Sequence, residues 1–330
     1  MNILIIFSNR LGDTVMGFPF VQGVKQAFPN SRIYAVVSKE LVELMALVPE
    51  FDGVFAKVRN SYPSIVGNVQ TASALRKSRK YDLCICLSDS FSTALIAFLA
   101  GIKIRIGHNT DGRGFLLSHS INYEQKKESL VFYSFNLLNK YLNKVIEPQP
   151  YRMKFTSKGQ RILPEGKNLV FNINSLGKSK IIPTWKAAAM VEGLLGRYDY
   201  NIILIGAEYE FEAVGQVIEK LRDGQRVHNY AGKTDLVGLA HLLVEADLTI
   251  STDTGTAHLA NAIGTKLIVL FGSGDSIKSR PFNNENLRVI DKGLPCSPCL
   301  LADCKFAEPL CLTEIENQDI FDAIDELVNT

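Results

Sequence analysis

Two patterns of hydrophobic spacing alternate along this chain from end to end. Short runs rich in Ile, Val and Leu stand at 2–7, 32–37, 54–56, 82–87 and 103–106, and each predicts a strand. Between them, apolar residues recur at helical spacing over 14–28, 39–47, 64–78, 91–100 and 128–142. Residues 143–167 hold Pro148, Pro150 and Pro164 with little helical period, which marks a linker. The rhythm then restarts, with strands over 169–172, 201–205, 248–250, 267–271 and 287–290. Its helices fall over 184–198, 209–221, 236–245, 256–263 and 315–328. Such alternation implies parallel sheets covered by helices. The chain reads as α/β: two Rossmann-like doubly wound domains, 1–155 and 165–330, facing across a cleft where strand C-termini gather ligands.

Composition supports this picture and removes some function classes. At 330 residues the chain exceeds one ordinary core, and its 46% hydrophobic and 21% charged content describes a globular protein. No apolar run approaches the ~20 residues of a bilayer span. The longest, 93–100, fits a buried helix. The apolar start, 1–7, lacks a basic lead and a small-residue cleavage site, so it reads as a first strand of a cytoplasmic protein rather than a signal peptide. A net charge of +2 conceals an asymmetry. Residues 1–160 hold 20 Lys and Arg against 11 Asp and Glu, while residues 161–330 hold 16 against 23. A basic first half suits a phosphorylated substrate or a membrane surface, or reflects only two differing surfaces. The basic residues are not interleaved with stacking aromatics, which argues against a nucleic-acid partner.

The chemistry concentrates where strands meet helices. Strand 248–250 runs into Asp253-Thr254-Gly255-Thr256 and then a helix carrying His258. Unpaired N–H donors and the helix dipole favour an anion there, and hydroxyls and a glycine suit a diphosphate. Asp253 would repel that anion, so it is expected to hold the loop's N–H groups or a sugar hydroxyl. Strand 169–172 is followed by polar residues, Gly177 and the lysines Lys178 and Lys180, mobile point charges for phosphate. Strand 201–205 leads to Glu210, whose carboxylate would hold ribose hydroxyls or simply charge a first helical turn. After the first strand come Arg10, Gly12 and Asp13; the last is either a helix N-cap or a general base for an acceptor hydroxyl. Neither Gly-x-Gly-x-x-Gly nor a Walker-type Gly-x-x-x-x-Gly-Lys-Ser/Thr is present, which disfavours a nicotinamide dehydrogenase.

Four of six cysteines, Cys296, Cys299, Cys304 and Cys311, share one Pro-containing stretch before the last helix. In a reducing compartment such spacing favours structural zinc or iron over free thiols or disulfides. Cys84 and Cys86 alternate on an apolar strand and read as core filling.

Taken in order, several of these segments resemble the bacterial lipopolysaccharide heptosyltransferases, glycosyltransferase family nine. The matching residues include Leu11-Gly12-Asp13 with Pro19, Gly101 with Arg105-Ile106-Gly107, and Lys180 with Pro183. Further on come Gly206 with Glu210, Ala231-Gly232-Lys233-Thr234, Asp253-Thr254-Gly255 with His258, and Leu270-Phe271-Gly272. The resemblance spans almost the whole chain. It implies the GT-B architecture and an inverting transfer of heptose from ADP-heptose to an acidic, lipid-linked inner-core acceptor, without a catalytic metal. It further implies Asp13 as base, Lys180 as diphosphate contact, and Glu210, Asp253, Thr254, Gly255, Thr256 and His258 as donor contacts. Arg10, Gly12 and Arg105 fall on the acceptor side. The implied location is cytoplasmic, with peripheral contact at the inner face of the inner membrane. The family often carries Lys-x-Trp-Pro where this chain has Lys180-Ile181-Ile182-Pro183. Other sugar-nucleotide transferases and a non-catalytic nucleotide-sugar binder are the competing readings.

Overall fold

The computed structural model describes residues 1–58, 64–123, 128–154 and 161–328. Its chain separates into two compact units, Met1–Lys154 and Phe155–Thr330. The division falls inside the expected linker, of which 155–160 lie outside the described residues.

The first unit runs β1 (Asn2–Ile6), α1 (Leu11–Met16), α2 (Phe18–Ala27), β2 (Arg32–Ser38), α3 (Val42–Ala46) and β3 (Gly53–Lys57). It continues with α4 (Ser64–Ser78), β4 (Leu83–Cys86), α5 (Phe91–Leu99), β5 (Ile104–His108), β6 (His119–Ile121) and α6 (Leu130–Leu142). Its six strands lie in the order β3-β2-β1-β4-β5-β6, with every pair parallel. The core on one face joins Leu4, Ile6 and Val36 to Cys84, Cys86 and Ile96. Cys84 and Cys86 are fully buried there, as apolar filling.

The second unit comprises β7 (Asn168–Asn172), α7 (Thr184–Arg197), β8 (Asn201–Ile205), α8 (Phe211–Glu219), β9 (Val227–Asn229) and α9 (Leu236–Glu245). Then come β10 (Leu248–Thr252), α10 (Gly255–Ile263), β11 (Leu267–Phe271), β12 (Leu287–Asp291), α11 (Leu310–Thr313) and α12 (Asn317–Val328). The order β12-β11-β10-β7-β8-β9 repeats the winding of the first sheet, again all parallel. Strands β7, β10 and β11 are buried at every position, as expected of central strands covered on both faces.

Both units therefore have the doubly wound α/β form. Each reverses its winding once, between β1 and β4 in the first sheet and between β7 and β10 in the second. The loops leaving those strands flank the crevice where such sheets bind ligands.

The expected single helix over 14–28 is divided at Gly17. A Cβ on Gly17 would lie 2.8 Å from the Phe7 ring, so only glycine lets the chain pass that close. The three-residue edge strands β6 and β9 were not expected. They are short and largely polar, and carry no alternation to reveal them.

Candidate active site

In the second unit the switch point is tied together by side chains. Ser251 of β10 lies opposite Asn172 of β7. The Asn172 amide donates to Ser251 Oγ at 3.3 Å and to Thr254 Oγ1 at 3.0 Å. Thr252 Oγ1 donates to the Asn174 carbonyl at 3.1 Å. These bonds fix Thr254 as the N-cap of α10, with no capping bond of its own side chain to the helix. Gly255 and Thr256 stand ahead of the first helical donors, Ala257 and His258, whose N–H groups bond to the Thr254 carbonyl. Amides in that position point out of the helix end toward an incoming anion. His258, in the first turn, is buried.

Lys180 closes the short turn Lys178–Lys180 after β7, and its Nζ lies 2.5 Å from Asp253 Oδ2. The carboxylate side chain is 5% exposed and the lysine 28%. Ser279 Oγ approaches the same Oδ2 at 3.5 Å. Asp253 was expected to hold the amides of its own loop or a sugar hydroxyl; in the structure its carboxylate pairs with Lys180. A third wall comes from Gly274 after β11, where an added Cβ would sit 2.2 Å from Asp253 Oδ2 and 3.2 Å from Lys180 Nζ. Gly274 and Ser279 lie 21 and 26 positions past Asp253, and no local pattern had pointed to them.

Glu210 follows β8, the neighbour of β7. Its Oε2 accepts the Ala207 N–H at 2.7 Å, and burial raises its pKa against the opposing effect of that bond. A Cβ on Gly206 would meet both Glu210 Oε2 and Asn174 Nδ2 at 2.8 Å, so glycine there keeps the carboxylate beside the β7 loop. Ile182, at the position where Trp often stands in the pattern, is buried and donates its N–H to the Ile173 carbonyl at 3.0 Å. The position therefore packs inward.

The four clustered cysteines line one small cavity together with Ser179 and Ser273. Burial first, and then the other three thiols, push the Cys311 thiol up to about 11. All six cysteines are free thiols in this structure. Among the described residues, no group of three or more His, Cys, Asp or Glu is arranged to hold a metal ion. The same stretch grips the lysine turn: Ser179 donates its N–H to Ala302 O at 2.9 Å and its hydroxyl to Leu301 O, while its Oγ also lies 2.7 Å from Ser273 Oγ after β11.

In the first unit, Asp13 sits on α1 three residues past the N-cap, Arg10. It is not a cap. Its exposed carboxylate accepts one bond, from Ser8 Oγ at 2.9 Å, and stands at the β1 end of the switch point. Arg10 is exposed on this turn and Gly12 is half-buried. Arg105 is not brought there. It lies level with Leu4 through the register of β1, β4 and β5, and its Nε donates to Leu116 O at 2.7 Å.

The residue that organises this edge is Arg113, which the sequence reading passed over. Fully buried, it donates Nε to His108 O at 3.1 Å, Nη1 to Ser88 O and Thr93 Oγ1, and Nη2 to Asp89 Oδ1 at 3.2 Å. Asp89 also accepts the Tyr133 hydroxyl at 2.9 Å. The N–H of Leu87 bonds to Ile6 O at 3.0 Å, so Arg113 holds the loop after β4 against the end of β1. His108 stacks on Tyr133 with centroids 3.9 Å apart, and burial pushes its pKa down to about 4.

The chain is similar along its length to known proteins. The sequence profile for glycosyltransferase family 9 (heptosyltransferase) matches residues 70–309. Lipooligosaccharide heptosyltransferase 2 of Campylobacter jejuni serotype O:6 is 25% identical, with 99% of each chain covered. The solved ADP-heptose LPS heptosyltransferase II of E. coli superposes with a TM-score of 0.84 at 21% identity, over 100% of this chain and 99% of that one. E. coli heptosyltransferase WaaC with ADP-2-deoxy-2-fluoro heptose gives 0.72 at 20% identity, with 99% of each chain covered.

Proposed function

Because the chain belongs to glycosyltransferase family 9, the heptosyltransferases, it is a glycosyltransferase of the GT-B fold, and we propose that it moves heptose from ADP-heptose to a lipopolysaccharide inner-core acceptor with inversion. The observation that carries the donor assignment is the meeting of Lys180, Asp253 and the N-terminus of α10 at one switch point. A structural relative solved with ADP-2-deoxy-2-fluoro heptose supports the same donor class.

In this reading Asp13 takes the proton of the acceptor hydroxyl, whose oxygen attacks the anomeric carbon from the face opposite the diphosphate. The bond from that carbon to the diphosphate oxygen breaks, and ADP departs. Lys180 and the amides at Thr254, Gly255 and Thr256 meet the negative charge that builds on the leaving group. Glu210 contacts the nucleotide, and His258 steadies the helix turn that binds the donor. Arg10 and Gly12 offer the acceptor the turn that carries Asp13.

The acceptor is an acidic, lipid-linked saccharide, which suits the basic excess of the first 160 residues. The protein then works in the cytoplasm, at the inner face of the inner membrane. Among the described residues, no helix is long and apolar enough to cross a membrane. Cys296, Cys299, Cys304 and Cys311 line one cavity and are the proposed holders of a structural zinc or iron, which requires their thiols to turn from the described positions, where they are not arranged to hold one. Metal analysis of protein purified under reducing conditions tests this; no bound zinc or iron would end it.

The deciding experiment is a transfer assay with ADP-heptose and a truncated core acceptor, run beside UDP- and GDP-sugars. Turnover with ADP-heptose is expected. Turnover only with another sugar nucleotide would replace the donor, and binding without transfer would mark a sensor.

A further inference from the structure

Helix α5, Phe91–Leu99, contains no charged residue. A helix apolar all round is expected to be covered all round, yet only Thr93, Ala94, Ile96 and Ala97 face the core. The outward residues Phe91, Phe98 and Leu99 follow the one-face spacing of a helix, with Leu95 between them packed against the margin of the core. Leu95 is half-buried, whereas Phe98 is 50% exposed. Phe115 extends the stripe: its ring lies 6.1 Å from that of Phe91, and it is 77% exposed. Contiguous aromatic and aliphatic exposure of this kind marks a surface with a partner.

The surrounding charge selects the partner. Arg105 lies over the Phe98 ring at 5.4 Å, and Lys103 follows the end of α5. Helix α4, which packs against α5, exposes Arg76, Lys77 and Lys80 at or just beyond its own C-terminal end, the end that lies with Phe98 and Leu99. Neither α4 nor α5 contains an acidic residue. At the Phe98–Leu99 end, apolar side chains edged by cations match an anionic lipid leaflet, where rings sink to the headgroup boundary and Lys and Arg meet phosphates, while the acid Asp111 stands at the Phe91 end, accepting the Phe91 N–H.

We propose that the outer stripe of α5, with Phe115, docks the first unit onto an anionic membrane surface. The inference deepens the peripheral contact proposed above by naming the face that makes it. The flat orientation of α5 on the leaflet brings the Phe91–Phe115 end, at the same sheet edge as Asp13, close to lipid-borne substrate.

The test is co-sedimentation of the full chain with vesicles of neutral phosphatidylcholine and with vesicles enriched in phosphatidylglycerol. Wild-type protein should partition about tenfold more to the anionic vesicles, and lose that preference as salt is raised. Phe98→Ser combined with Phe115→Ser should fall to the neutral level, and so should Lys77→Glu with Lys80→Glu, which leaves the apolar stripe untouched. Equal recovery on both lipids, or undiminished binding of both variants, would overturn the proposal. So would a wild-type dimer that the serine variant dissociates while neither binds lipid, since a second copy would then own the stripe. Transfer from ADP-heptose to a delipidated, soluble acceptor separates the two readings. The serine variant should match wild type there; failure of both proteins would overturn the donor assignment and leave the vesicle result standing.

Discussion

Lys180 and Asp253, 73 positions apart in sequence, form an ion pair 2.5 Å long at the reversal point of the second sheet. The lysine assigned to the diphosphate is thus neutralised by a buried carboxylate before any anion arrives. If Lys180 takes the proposed diphosphate role, donor binding is a competition for one ammonium group. Two outcomes separate that competition from simple charge attraction. Lys180→Ala should lower kcat about 100-fold by removing a cation from the leaving group. Asp253→Asn should bind ADP more tightly in a calorimetric titration, because Lys180 is released. It should also lose about 2 kcal/mol in urea unfolding, less than for a fully buried pair because the lysine is partly solvated. ADP affinity unchanged by Asp253→Asn would remove the competition.

Asp13→Asn keeps the size and the Ser8 contact of the side chain but cannot accept the acceptor's proton. Turnover should fall about 1,000-fold, within the range of a lost general base. ADP affinity should be unchanged. Near-normal turnover in a single-turnover assay would transfer the base role elsewhere.

Gly274 leaves no room for a methyl group. Gly274→Ala would drive Asp253 from Lys180, or the turn after β11 from both. Donor KM should rise about tenfold with far-UV circular dichroism unchanged. An unaltered KM would show that the three loops do not act as one assembly.

His108 provides a pH signature. Burial holds its folded pKa near 4, below the 6.5 of an unperturbed imidazole, so the unfolded chain binds the proton more readily between those values. The associated stability is fully present above about pH 6.5 and is lost as pH falls toward 4, by at most about 3 kcal/mol. Urea midpoints across that window should decline for wild type, and His108→Phe should flatten the decline. Parallel curves for the two proteins would assign it to carboxylates instead.

Much of the fold was legible because its central strands are apolar and bounded by turns. The limits expected for β8, β11, α4 and α9 coincide with those observed. β6 and β9 escaped because an edge strand half open to solvent needs no hydrophobic period. The run at 93–100 was expected inside and has one face outside, since periodicity cannot reveal a side left uncovered. The candidate site divides in the same way. Asp13 and Asp253–His258 could be named because each follows a strand and opens a helix. The pairing of Lys180 with Asp253, the wall at Gly274 and the clamp at Arg113 join loops distant in sequence, and no local spacing records them.

The hydroxyl contact between Ser179 and Ser273 has a consequence for how damage to this enzyme would be interpreted. Ser179 precedes Lys180, its amide and hydroxyl bond to Ala302 O and Leu301 O of the cysteine-bearing stretch, and Ser273 accepts the Leu300 N–H of that stretch, so the turn rests on it as on an abutment. Alkylation, truncation or a proline scan along 296–304 would then shift Lys180 without touching substrate. Such lesions would mimic nucleotide-pocket mutants in an activity screen, and only repair of the abutment would tell them apart.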